Sequence, residues 1–306
     1  MLSLTEKLQS LLDEAVSRGE TGCGSVLITR CGQELAYAQS GVADPRTGAP
    51  IARDTIFRLY SQSKPITSAA AMLLLERGQL DLLSPVSRWL PGFKNPRVVS
   101  ESGTPVAARR EVRVADLLSM TSGLCYPGAD DEAGRAAAAL FDENARLMAE
   151  GKGMDTLTFC DRMGELPLAF QPGAQFRYGT SADVLGAVVE AVSGMRFGDF
   201  LQQELFGPLG MKDTAFYVPP EKLGRLAASC WRRPGQPNSL WTRPHLCCAV
   251  TSEEPAFQSG GAGLYSTIGD YERFARMLLN MGELDGVRVL NPKTVAWMTK
   301  PQLNVR

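Results

Sequence analysis

The sequence carries a single histidine, His245, among 306 residues. It has no Gly-x-Ser-x-Gly elbow to seat a triad serine. A Ser-His-Asp hydrolase is therefore not expected, and the histidine sits in a Pro-flanked segment (Arg243-Pro-His-Leu246) that reads as a structural or solvent-facing loop. Nothing resembles a His-x-x-x-His pair or a carboxylate cluster, so no metal is expected. The cysteines at 23, 31, 125, 160, 230, 247 and 248 are odd in number and scattered, without a Cys-x-x-Cys pair. That pattern argues against a disulfide framework or a zinc site and favours reduced thiols. Charge of one sign is also lacking: 32 Lys and Arg face 33 Asp and Glu, so neither a nucleic-acid surface nor an acidic tail is expected. The most apolar run, Ser68 to Leu75, falls far short of the roughly 18 residues that span a bilayer. The start, Met1-Leu-Ser-Leu-Thr-Glu6, has no basic segment and no long apolar one, and a cytoplasmic location is the expectation. The glycines at 260, 261 and 263 make no phosphate cradle, since Gly-x-x-x-x-Gly-Lys is absent, and no organic cofactor is called for. No repeat of 20 to 50 residues indicates a solenoid or propeller.

What is present suffices for a large core: 44% of residues are hydrophobic and 21% charged. Ser3 to Arg18 reads as a helix, with Ser3 and Glu6 in capping-box positions and Leu4, Leu8, Leu11, Leu12 and Ala15 on one face. Ser25–Thr29 and Glu34–Ala38 flank a short link and predict a hairpin. Thr55–Tyr60 leads into a helix from about Gln62 to Arg77, closed by Gly78. Helices follow at Val114–Met120, Glu132–Glu150 (a surface helix) and Ala182–Val192. Later come short strands at Ala227–Trp231 and Gly263–Ser266, then helices at Tyr271–Met281 and Pro292–Thr299. The order predicts an α+β architecture in one domain, 1–306. An antiparallel sheet lobe would use 1–61 and about 226–306, and a helical lobe about 62–225.

The sharpest chemical feature is Ser61-Gln-Ser-Lys64, the only Ser-x-x-Lys in the chain, at the junction of a strand and an apolar helix. Residues three apart share a helical face, so the Lys64 ammonium can reach the Ser61 hydroxyl. A serine is a poor nucleophile until a neighbouring base takes its proton, and a helix N-terminus adds an N–H for an oxyanion. Serine is equally a common helix cap, so the spacing alone leaves both roles open.

The segment Phe57-Arg-Leu-Tyr-Ser-Gln-Ser-Lys-Pro-Ile-Thr67 resembles the nucleophile segment of the serine β-lactamase and penicillin-binding-protein superfamily. The similarity is greatest to the class C-related branch that includes family VIII carboxylesterases. Further stretches agree in order: Leu75–Leu82; Val114-Ala-Asp-Leu-Leu-Ser-Met-Thr-Ser-Gly-Leu124, with Met120 where His is usual; Gln171–Tyr178 with Asp183–Gly186; and Gly260–Thr267 with Asp270. The resemblance implies a β-lactamase-like serine hydrolase fold with its site between the lobes. It implies Ser61 as the acylated nucleophile, Lys64 and Tyr178 as proton relay, and Thr180, Gly260 and Gly261 as substrate-binding residues. The substrate would be a small ester or a β-lactam- or peptide-like amide.

Two departures shape that expectation. The tyrosine motif reads Tyr178-Gly-Thr180, where β-lactamases of this type end in Asn; threonine lacks an amide fork, which shifts the expectation toward esters. No Lys-Thr-Gly, His-x-Gly or Trp-Gly-Gly strand is found. Lys293-Thr-Val295 lacks the glycine and reads as the first turn of a helix capped by Asn291. The reading is thus that C-terminal strands are missing, supplied by a further segment or a second chain. The alternative is a catalytically impaired penicillin-binding-like protein that holds an acyl or peptidoglycan-like ligand without turnover.

Overall fold

The structure, a computed structural model, describes residues 2–100, 103–231, 239–241, 246, 248 and 252–303. His245 and Cys247 lie outside the described residues. Helix α1 (Leu4–Ser17) starts at Ser3, whose hydroxyl accepts from the Glu6 amide while the Glu6 carboxylate accepts from the Ser3 amide. Strands β1 (Cys23–Arg30) and β2 (Gln33–Asp44) pair antiparallel, with a register shift between Ile28 and Thr29, and β3 (Ala49–Pro50) adds to β2. α1 packs on β2. β4 (Phe57–Arg58) then runs into a single turn of tight helix, Tyr60–Gln62, and so into α2 (Ser63–Glu76).

Pro65 falls in the first turn of α2, where its missing N–H costs no intrahelical bond. Past it the run Ala69-Ala-Ala-Met-Leu-Leu74 is buried on every side, and the helix stops before Gly78, whose φ of 69° only glycine adopts readily. Next come a small hairpin, β5 (Arg97–Val99) and β6 (Pro105–Ala107), and helix α3 (Val114–Leu118). The hairpin adds short strands to a stretch expected to be mostly helical. Val98 and Val99 favour extended backbone, and Pro96 and Pro105 exclude a helix.

Helices α4 (Glu132–Ala149) and α5 (Thr156–Gly164) precede α6 (Ser181–Ser193). α4 is not merely superficial. Ala137, Leu140 and Phe141 recur at helical spacing and turn inward, setting Phe141 edge-on to Phe159 of α5 at 5.0 Å. α6 is buried from Ser181 to Val189, and it is the axis of the helical core: α2, α3 and α5 all pack on it. Gly186 lets the ring of Phe197 close on α6, where a Cβ would approach it to 2.9 Å.

The remainder comprises α7 (Phe197–Leu201), a π-helical turn at Gln202–Phe206, α8 (Gly207–Leu209), β7 (Cys230–Trp231), β8 (Ser239–Leu240), β9 (Tyr265–Ser266), α9 (Ile268–Leu279), the β10–β11 hairpin (Glu283–Leu284 and Val287–Arg288) and α10 (Pro292–Met298). β9 pairs antiparallel with β4, Phe57 opposite Ser266 and Arg58 opposite Tyr265. Lys293 and Thr294 lie in the first turn of α10 behind the Asn291 cap, as the sequence predicts. The α+β class therefore holds, with small antiparallel sheets beside a helical core. Among the described residues no helix is long and apolar enough to cross a membrane.

Candidate active site

Ser61 is exposed in the tight turn that joins β4 to α2, and Lys64, on the first turn of α2, is only 8% exposed. The turn is set by Tyr60, which holds a left-handed φ of 46°, uncommon for a residue with a large side chain. Its hydroxyl meets Ser229 Oγ at 3.3 Å, and the neighbouring Leu59 amide bonds the Leu264 carbonyl at 2.8 Å. Lys64 Nζ donates to Ser61 Oγ at 3.0 Å, to Tyr126 Oη at 3.0 Å and to the Gly261 carbonyl at 2.8 Å. An ammonium has three hydrogens, and three acceptors surround this one.

Tyr178 stands at the rim, 48% exposed, with the Lys64 nitrogen 4.7 Å from its ring centre. Its ring lies 5.9 Å from that of Tyr126. The two phenols are pushed apart in acidity. Partial burial works to raise the pKa of Tyr178, but hydrogen bonding with Lys64 and Ser61 and the charge of the ammonium outweigh it, and the phenol is held below its ordinary range. At Tyr126 burial dominates, the negative charge of Asp183 adds to it, and the phenol is driven far up. Such a divergence between neighbouring groups separates a proton acceptor from a neutral donor.

The loops that bring the two tyrosines together are joined by close backbone contact. Gly179 lies against Leu124, where a Cβ would come within 2.2 Å of the Leu124 carbonyl oxygen. Ser122 Oγ meets Ser181 Oγ at 2.8 Å just below. The Gly260–Gly261 loop is pinned to α2 in the same manner. Thr67 Oγ1 donates to the Gly260 carbonyl at 2.8 Å, and Ser63 Oγ accepts from the Leu264 amide at 3.2 Å. A Cβ on Gly260 would sit 2.4 Å from the Ala182 carbonyl oxygen, so only glycine fits between α2 and α6.

The structure thus brings Ser61, Lys64 and Tyr178 to one place. It does not bring Thr180, Gly260 and Gly261 to a surface that a substrate would reach. Thr180 is 2% exposed and its hydroxyl turns to the Cys125 carbonyl at 3.4 Å. Both glycines are buried, their carbonyls taken by Thr67 and Lys64. All three, expected from sequence to bind substrate, lie behind the reactive groups. Asp116 and Asp270, within the matching stretches, are likewise structural. Asp116 takes a two-pronged bond from Arg110 at 2.6 and 2.9 Å, and Asp270 accepts the Asp213 amide at 2.6 Å.

Two residues of the site were not expected from sequence. Tyr126 lies two positions beyond the Thr-Ser-Gly-Leu stretch, and a hydroxyl-bearing aromatic so placed was its only signal. Asp183, 3% exposed in the first turn of α6, accepts from Ser259 Oγ and, at 3.0 Å, from the Gly261 amide. Burial raises its pKa, and these hydrogen bonds and the charge of Lys64 oppose that rise.

Comparison with known proteins shows the family. The chain is 35% identical over 276 residues to an uncharacterized protein of Mycobacterium tuberculosis, an alignment covering 88% of this chain and 65% of that protein. It is 31% identical over 291 residues to Esterase EstB of Burkholderia gladioli, covering 89% and 69%. Among solved structures, the fold superposes on Simvastatin Synthase (LovD) from Aspergillus terreus with a TM-score of 0.78 at 25% identity, covering 99% of this chain and 74% of that one. EstCE1, a hydrolase with promiscuous acyltransferase activity, gives 0.75 at 29%, covering 95% and 75%. The chain thus spans about two thirds of the length of these curated relatives. Residues 8–304 match the Beta-lactamase family, and the chain belongs to it.

Proposed function

We propose that the protein is a serine hydrolase that forms an acyl-enzyme on Ser61, acting on a small ester or on a β-lactam- or peptide-like amide. The observation that carries the reading is the Lys64 ammonium, buried and held by Ser61, Tyr126 and Gly261 at 2.8 to 3.0 Å beneath an exposed serine. Tyr178, whose ring centre lies 4.7 Å from the Lys64 nitrogen and whose pKa is lowered, is the acceptor for the serine proton as its phenolate.

Ser61 Oγ attacks the carbonyl carbon as its proton passes to Tyr178. The tetrahedral intermediate collapses, the C–O or C–N bond breaks, and the leaving oxygen or nitrogen takes that proton from Tyr178. Water then attacks the Ser61 ester by the same relay and frees the acid. Lys64, bonded to Ser61 and beside the Tyr178 ring, holds the two groups of the relay together.

Two observations favour esters. Thr180 offers no amide fork and is turned into the protein, and Esterase EstB is among the relatives. The putative D-alanyl-D-alanine carboxypeptidase of Salmonella typhimurium, 26% identical, keeps amides within the substrate class.

The test is a fluorophosphonate probe followed by peptide mass spectrometry, with p-nitrophenyl acetate as the turnover substrate. Modification of Ser61 and ester hydrolysis are expected. Lys64→Ala should slow both by about 100- to 10,000-fold while the protein stays folded. A folded wild-type protein that neither labels nor hydrolyses would leave the non-turnover binding reading in its place.

A further inference from the structure

Lys64 is held by three acceptors, and two of them, Ser61 Oγ and Tyr126 Oη, are side-chain hydroxyls. The third is a backbone carbonyl, that of Gly261, and it is the fixed point of the set. α2 holds its neighbour, the Gly260 carbonyl, through Thr67, and α6 holds Gly261 itself. The amide N–H of Gly261 points the opposite way, into the Asp183 carboxylate on α6. The same oxygen, Oδ1, accepts from Ser259 Oγ, and Ser259 Oγ in turn accepts from the Ala262 amide at 3.0 Å. One carboxylate thus gathers both ends of the Ser259–Ala262 turn. A Cβ on Gly261 would come within 2.7 Å of Asp183 Oδ2, so the approach is as close as the chain allows.

The choice of residue is informative. Burying a carboxylate is costly, and a loop needs only a neutral acceptor to be held. Here a carboxylate oxygen is the acceptor, receiving both the Ser259 hydroxyl and the Gly261 amide.

We propose that Asp183 is a positioning residue for the Ser61–Lys64 pair, holding the Gly261 carbonyl at the place from which it orients the lysine ammonium toward the serine. This rests on the hydrolase reading above. Without Asp183 the turn keeps its Thr67 contact at Gly260 but loses both bonds at Ser259 and Gly261. The Gly261 carbonyl then drifts, and Lys64 loses the anchor that aims it. Displacements of about 1 Å at a reacting pair cost on the order of 100-fold in rate. The substrate surface is untouched, since Asp183 lies below the reactive groups.

The experiment compares Asp183→Ala, Asp183→Asn and wild type by the rate of Ser61 modification with a fluorophosphonate, by kcat and KM on p-nitrophenyl acetate, and by thermal denaturation. Asp183→Ala is expected to lower the modification rate and kcat by about 10- to 100-fold, with KM changed less than about threefold. Asp183→Asn keeps an acceptor oxygen of the same reach and should restore most of the rate. A folded Asp183→Ala that modifies at the wild-type rate, or a loss confined to KM, would overturn the proposal and leave the hydrolase reading standing. An Asn variant as slow as Ala would also overturn it, because position without charge would then not suffice. If Asp183→Ala does not fold, Ser259→Ala loosens the same turn without touching α6: a several-fold slower modification is expected, and an unchanged rate would overturn the proposal. Wild-type protein that is not modified at all would overturn both readings together.

Discussion

The helical core and the N-terminal hairpin are built to different standards. On the helical side, α2 has ten of its fourteen residues buried, and its polar groups Ser63, Lys64 and Thr67 are each matched to a backbone partner. On the hairpin side, no residue of β1 is fully buried and α1 has none buried at all. β1 pairs with β2 along one edge, and a groove of about 690 Å³, lined by Leu27, Phe57, Leu59 and Ile268 among others, runs beside it. The difference teaches where geometry is demanding. Groups that must meet to within a few tenths of an ångström are mounted on the close-packed side, and the hairpin carries none of them.

That contrast can be broken most forcefully by stability. Phe159, fully buried between Phe141 and Phe257 at ring distances of 5.0 and 4.6 Å, should cost about 3–5 kcal/mol when changed to Ala. Leu27→Ala on half-buried β1 should cost about 1 kcal/mol. Urea denaturation of both variants checks the ratio, and equal losses would mean that the hairpin is as much a core as the helices.

A second way is kinetic. Gly261→Ala sets a methyl 2.7 Å from Asp183 Oδ2, so the turn must shift, and ester hydrolysis should fall about 10- to 100-fold. Leu27→Ala should leave kcat within about twofold.

pH provides a third. A phenol acting as base is active when deprotonated, so the rate should rise with pH through the pKa of Tyr178 and level off above it. Because that pKa is held down, the rise should be centred below the ordinary tyrosine value. Tyr178→Phe should remove the rise, whereas Leu27→Ala should leave its midpoint in place. A midpoint that moves with the hairpin would show that both sides tune the chemistry.

The smallest effect concerns Thr180. Its hydroxyl makes one long bond to Cys125. Thr180→Val should leave KM for p-nitrophenyl acetate within about twofold and cost no more than about 1 kcal/mol of stability. A large rise in KM would restore Thr180 to the substrate surface.

Legibility in the sequence follows the distance between partners. The α1 capping box, the β1–β2 hairpin, the Gly78 stop and the Asn291 cap of α10 were all readable, since each is made by residues close in the chain. Ser61 and Lys64, three residues apart, are read the same way. Tyr126 and Asp183 were not, because their partners lie 62 and 78 positions away, and an acidic residue in a first helical turn reads simply as a complement to the helix dipole. Thr180, Gly260 and Gly261, expected from sequence to bind substrate, are buried with their hydroxyl or carbonyls turned into the protein. Which way a hydroxyl or carbonyl turns is decided by what packs against it. Glycines between two buried helices are there to let backbones touch.

The left-handed Tyr60 has a consequence of its own. Such a conformation costs a residue with a Cβ about 1–2 kcal/mol, and the turn would relax if its tethers at Ser229 and Leu264 let go. The serine next to it is therefore held like a cocked latch, its aim set by load carried on both flanks. Slackening either tether would let the latch swing before any atom of the reacting pair had been changed.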